Sequence, residues 1–173
     1  FERETVDYET LYSGYRELKV NAAVIDRLYS EKRLEVNEPP IAELEPKLNP
    51  NEYVLLKTAG DATGGESGSQ VGLARYVASH KVVWPLSRNK KPIYGITPRN
   101  VQQNMALDLL LDDEVQMVTL TGTAGTGKTL LALAAGMYKC FTEHKYERLL
   151  VARPIMPMGK DIGFLPGSKD EKL

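Results

Sequence analysis

Four residues stand at a spacing that can do recognisable chemistry: Gly122, Gly127, Lys128 and Thr129, within Thr121-Gly122-Thr123-Ala124-Gly125-Thr126-Gly127-Lys128-Thr129. They satisfy Gly-x-x-x-x-Gly-Lys-[Ser/Thr], the Walker A pattern of phosphate-binding loops. Glycine lets a backbone turn tightly and approach phosphate oxygens with no Cβ in the way. The N–H groups of Gly122, Thr123, Ala124, Gly125, Thr126 and Gly127 then converge as an anion-binding nest. Lys128 brings a point charge to the β- and γ-phosphates, and the Thr129 hydroxyl is a hard oxygen suited to Mg²⁺. A helix opening at Lys128 aims its N-terminal dipole at the same anion.

Such a loop needs a strand before it and a helix after it. Val115 to Leu120 is mostly apolar and predicts a buried strand. Leu130, Leu131, Ala132, Leu133, Ala134 and Ala135 predict a helix from Lys128 to about Phe141. Leu149-Leu150-Val151-Ala152 predicts a fully buried parallel strand, ending at Arg153-Pro154. Strand, helix and strand make a right-handed βαβ unit with a parallel sheet. Upstream, Thr97 and Pro98 fit the N-cap and first position of a helix whose apolar side is Met105, Leu107, Leu109, Leu110 and Leu111. Asp112-Asp113 then predicts a turn. Residues 155–173 predict a Gly/Pro-punctuated loop carrying Lys160 and Asp161.

The first half has a different texture. Tyr15 to Val20, Leu34 to Val36, Glu52 to Lys57, Gln70 to Val77 and Lys81 to Leu86 predict short strands. Val24, Ile25, Leu28 and Tyr29 share one face of a short helix. Pro39, Pro40, Pro46 and Pro50 punctuate a loop, and Gly60 to Ser69 predicts a flexible hairpin tip. Ser87 to Pro92 predicts a linker. The expected architecture is therefore α/β: a small β-rich domain over residues 1–92, then a P-loop NTPase domain with a parallel sheet over residues 93–173, truncated before its Walker B carboxylate. Tyr76 and Trp84, near Arg75, Lys81 and Arg88, read either as core aromatics or as a stacking face for single-stranded nucleic acid.

Composition bounds the rest. The 173 residues are 42% hydrophobic and 26% charged, as in globular proteins. With 22 basic and 23 acidic side chains the net charge is -1, so any nucleic-acid surface must be local. The lone cysteine, Cys140, excludes an internal disulfide and reads as a small core residue on the helix after the loop. No run approaches 18 apolar residues, so no membrane partner is expected and the cytoplasm is the expected location. Phe1 at the start and the polar tail after Gly167 predict a piece cut from a longer protein.

The blocks Gly95-Ile96-Thr97-Pro98-Arg99-Asn100-Val101-Gln102-Gln103, Gly122 to Thr129, Arg153-Pro154-Ile155 and Gly159-Lys160-Asp161-Ile162-Gly163-Phe164-Leu165-Pro166-Gly167 resemble, in order, the PhoH-like ATPase family. Residues 1–92 resemble the small connecting domain that follows a PIN nuclease domain in longer members. The family is similar to the core of superfamily-one helicases. The resemblance implies ATP and Mg²⁺ as cofactors, hydrolysis in the intact protein, RNA as substrate or partner, and homo-oligomeric rings. It places Lys128 and Thr129 in catalysis, with Thr129 on the metal. It places Asn100 and Gln103 where an Asn-x-x-Gln motif reads adenine, a job that suits a carboxamide's adjacent donor and acceptor. The alternative for Gln103 is a solvated helix residue. Arg153, Pro154 and Lys160 fall where helicases touch nucleic acid, or else end a strand and decorate a solvated loop. No Asp-Glu pair follows an apolar strand downstream of the loop, so the water-positioning carboxylate and any arginine finger are expected outside the chain. Two other functions fit the residues less well: a small-molecule P-loop kinase, and an RNA-binding module with a non-hydrolysing nucleotide fold.

Overall fold

Two cores are built on either side of helix α2 (Val101–Leu111), and the strands of the first half supply one of them. The computed structural model describes residues 12–44, 46–58, 70–86 and 92–153. Its strands are β1 (Tyr15–Val20), β2 (Leu34–Glu35), β3 (Tyr53–Thr58), β4 (Val71–Val77) and β5 (Val82–Pro85). They form a 5-stranded sheet in the order β1-β3-β4-β5-β2. β1 runs parallel to β3, with Tyr15 opposite Tyr53, and the other pairs are antiparallel. A parallel pair needs a crossover, and helix α1 (Ala22–Glu31) lies within it.

Alternation along β3 sorts its side chains to two faces. Val54 and Leu56 pack with Ile25 and Leu28 of α1, while Tyr53 and Leu55 pack with Met105 of α2. The stripe expected on α1 is the one observed: Ile25 and Leu28 are buried, with Val24 and Tyr29 partly buried beside them. On its far side α2 presents Leu107 to Ile93, Leu131 and Ala134, which joins it to helix α3 (Lys128–Met137). A helix sandwiched in this way must be apolar on most of its circumference, and Val101-Gln102-Gln103-Asn104-Met105-Ala106-Leu107 departs from that mainly in the first turn.

The second half corrects three expectations. The N-cap of α2 is Asn100, not Thr97: its Oδ1 accepts from the Gln103 N–H at 2.8 Å, and Pro98 lies before the helix. Helix α3 ends at Met137 and continues as a π turn over Tyr138–Thr142 instead of running to Phe141 as α-helix. Residues 115–120 and 149–152 are not strands, and no parallel sheet forms around the glycine loop among the described residues. A strand exists only where a neighbour takes its backbone hydrogen bonds. Neither segment has one among the described residues, and Met117, Leu150 and Val151 stand 85%, 88% and 65% exposed. Leu149 does dock: its Cδ1 lies 2.7 Å from where a Cβ on Gly136 would stand. The strands expected at Tyr15, Leu34, Glu52, Gln70 and Lys81 are all present, whereas residues 60–69 lie outside the described residues. Cys140 is buried, as read from the sequence. Among the described residues, no helix is long and apolar enough to cross a membrane.

Candidate nucleotide site

The loop after residue 121 turns on glycines in the left-handed half of backbone space: φ is 143° at Gly122, 79° at Gly125 and 88° at Gly127. Gly127 is also the N-cap of α3, and Leu131 N–H donates to its carbonyl at 2.9 Å. The N–H groups of the first turn therefore have no acceptor within the helix. Lys128 folds back over the loop. Its Nζ donates to the Gly122 carbonyl at 2.8 Å, the Thr123 carbonyl at 2.6 Å and Thr126 Oγ1 at 3.2 Å. Thr126 Oγ1 in turn donates to the Thr123 carbonyl at 3.0 Å. All three oxygens around the ammonium are neutral, so among the described residues its charge is hydrogen-bonded but not compensated, which is the condition for attracting an anion. Thr129 is an exposed residue in the first turn of α3.

Helix α2 reaches this loop through one side chain. Gln103 Nε2 donates to the Thr126 carbonyl at 3.3 Å, and its Oε1 accepts from the Arg99 N–H at 2.8 Å. A carboxamide has two N–H groups and two acceptor lone pairs, so one of each remains. Asn100 holds the Gln103 backbone as its cap. The structure thus brings Asn100, Gln103 and the Gly122–Thr129 loop together. Asn100, Gln103, Gly122, Thr123, Thr126 and Lys128 border a groove of about 810 Å³ that also touches Tyr12, Asn51 and Val118, whereas Thr129 is not part of its lining. That volume is within the range of small-ligand sites. Arg153 is exposed and outside the groove lining, and Pro154, Lys160 and Asp161 lie outside the described residues.

The other end of α2 is tied to the sheet by polar groups that pattern reading did not connect. The buried Tyr53 hydroxyl lies 2.9 Å from Asp108 Oδ2 and 3.1 Å from the Met105 carbonyl, which share its proton. Burial first, and the Asp108 charge second, push the phenol well above its ordinary pKa. Arg75 Nε stands 3.5 Å from Asp108 Oδ2, and its Nη2 bonds Asp112 Oδ2. Burial raises the Asp112 carboxyl, but the Arg75 hydrogen bond and the Glu114 N–H at 2.9 Å outweigh it and hold it below the usual range. Asp113 accepts from Lys139 at 2.5 Å and from Lys145. Arg75 is therefore half of two ion pairs, with its side chain 13% exposed. Tyr76 packs partly buried on the α1 side, whereas Trp84 is 40% exposed with the His80 ring 5.1 Å away. Asp108 on α2 and Asp112, the C-cap four residues on, are a visible clue to a cation on the facing strand.

Comparison with known proteins agrees with the motifs. Protein PhoH2 of Bacillus subtilis is 45% identical over 168 residues, 97% of this chain and 36% of the relative. Protein PhoH2 of Thermobispora bispora is 31% identical over 166 residues, 34% of that relative. Protein PhoH of Escherichia coli is 32% identical over 88 residues, 51% of this chain and 24% of the relative. The chain spans roughly a third or less of the length of these curated relatives. No solved structure gives a significant match. Residues 95–173, from the segment before α2 through the glycine loop and beyond, match the PhoH-like protein family.

Proposed function

We propose that this chain binds ATP with Mg²⁺ and that the intact protein hydrolyses it in work on RNA. The observation that carries the reading is the Lys128 ammonium, held by three neutral oxygens at the mouth of a loop whose glycines leave its backbone open. The loop N–H groups and Lys128 take the β- and γ-phosphates, one of the three Lys128 bonds being exchanged for a phosphate oxygen. The Thr129 hydroxyl is the chain's ligand for Mg²⁺, whose contribution is to neutralise phosphate charge. The spare donor and acceptor of Gln103 match the N6/N7 edge of adenine, which offers the complementary pair. Guanine presents two acceptors on that edge and leaves the Gln103 acceptor unmatched.

The decisive measurement is calorimetric titration of Mg-ATP and Mg-GTP into the 173-residue chain and its Lys128→Ala variant, with phosphate release followed on the same samples. ATP binding, weakened at least about tenfold by loss of the charge-assisted bonds, is expected. Equal binding by Lys128→Ala would remove the phosphate-loop reading. Equal affinity for ATP and GTP would remove the adenine reading. For RNA, the expected result is that phosphate release by the intact protein rises when single-stranded RNA is added. The resemblance of residues 95–173 to helicase-like ATPases supports that part.

A further inference from the structure

Helix α2 meets the glycine loop at one end and the sheet at the other, and both contacts are polar. Gln103 contacts Thr126 with an N–O distance of 3.3 Å, near the limit of a useful hydrogen bond. Asp108 lies five residues on, about 7.5 Å along the axis at 1.5 Å per residue. An axial slip or a rotation of α2 is therefore passed to Gln103 almost undiminished. What resists such movement along the apolar seam is not apolar packing alone, because Leu and Met side chains can re-pack with little loss of free energy. Directional bonds can resist it. The Tyr53 hydroxyl grips the helix by a backbone carbonyl, Met105, and a side chain, Asp108, at once. Tyr53 is only 2% exposed and sits on β3 between β1 and β4. Arg75, one strand over and directly opposite Tyr53 in the register, holds Asp108 and Asp112.

We propose that Tyr53 is a positioning residue for base selection: by fixing α2 on the sheet it sets where the Gln103 carboxamide stands, with Arg75 as its support. This rests on the nucleotide reading above and extends it from the loop to the sheet. A sheet residue then belongs to the adenine site although it contributes to it only through α2.

The test is the ratio of ATP to GTP affinity in the 173-residue chain, measured for wild type, Tyr53→Phe, Asp108→Ala, Gln103→Ala and the Tyr53→Phe/Gln103→Ala double variant. Loss of the hydroxyl is expected to lower the ratio about three- to tenfold, as a misplaced polar contact does, and to lower it no further once Gln103 is gone. A Tyr53 that only stabilises the fold would weaken both nucleotides alike; an unchanged ratio in a folded Tyr53→Phe overturns the proposal. If Tyr53→Phe does not fold, Asp108→Ala takes its place, with the same expected and overturning results. A wild-type chain that binds ATP and GTP equally, or a Lys128→Ala that binds like wild type, sinks the nucleotide reading itself, a failure distinct from an unmoved ratio in a selective protein.

Discussion

Gln103 Nε2 and the Thr126 carbonyl stand 3.3 Å apart, so a side chain of α2 braces the glycine loop from outside. Gly127 lies at that brace. A Cβ there would come 3.4 Å from Gln103 Nε2, and its φ of 88° strains any L-residue. Gly127→Ala is expected to cost about 1–2 kcal/mol in backbone strain. Mg-ATP affinity should fall about fivefold or more, since 1 kcal/mol corresponds to roughly that factor. Titration calorimetry beside a thermal melt checks both, and wild-type affinity in the variant would show that the loop does not need this conformation.

Two carboxylates make the fold acid-sensitive. Glu52, 2% exposed, is raised by burial, but Arg16 at 2.6 and 3.0 Å and the Asn49 N–H at 2.7 Å hold it below its usual range. Asp112 is held low as well. For a depressed carboxylate the stabilisation is fully present above the unfolded pKa and disappears as pH falls through the folded one. Stability should therefore be flat near neutrality and decline below about pH 4, where the unfolded carboxyls begin to take up protons first. Chemical denaturation at stepped pH reads this. Glu52→Gln should flatten part of the decline while lowering stability at neutral pH by about 2 kcal/mol, because Arg16 loses a charged partner.

Gly136 in α3 has an unusual neighbour. Leu149 Cδ1 occupies the place 2.7 Å from a would-be Cβ, yet it is the far end of a flexible, partly exposed side chain. Alanine gains about 1 kcal/mol over glycine inside a helix. That gain exceeds the loss of one surface contact, so Gly136→Ala should leave the melting temperature unchanged or raise it by a few degrees. A drop of several degrees would mean that Leu149 is held more firmly than its exposure indicates.

Leu28 and Leu150 form a matched contrast. Leu28 is fully buried between α1 and the sheet, and Leu28→Ala should cost about 2–5 kcal/mol. Leu150 is 88% exposed, and Leu150→Ala should change the stability of this chain by less than about 0.5 kcal/mol. Denaturant unfolding of both variants decides. A large effect at Leu150 would place it in a buried strand.

Legibility in the sequence followed the range of the interactions. The strands around Tyr15, Glu52, Gln70 and Lys81 and the Ile25/Leu28 stripe were legible, because alternation and helical spacing are local and each element found its partner. The parallel pairing of β1 with β3 was not, since nothing local distinguishes it from an antiparallel neighbour. Residues 115–120 and 149–152 show the limit most clearly: apolar runs report a need for burial, not a neighbour to provide it. Around the site, the Gly122–Thr129 spacing was visible outright. The Arg75–Asp112 pair joins residues far apart in the chain, so no local pattern shows it. Asn100 out-competed Thr97-Pro98 as the cap because its side chain reaches the Gln103 N–H, a distance that composition cannot supply.

The register of Tyr15 opposite Tyr53 has a consequence for how the chain assembles. β1 pairs with a strand about forty residues further along the chain, so this pairing closes a long loop. α1, formed from nearby residues, can take shape first. The β4–β5 hairpin, with its Ala78–Lys81 turn, closes over a far shorter span. Refolding should therefore show the hairpin protected from amide exchange before β1. Until β3 pairs with it, β1 is the described strand that waits longest for its partner and is open to a wrong neighbour.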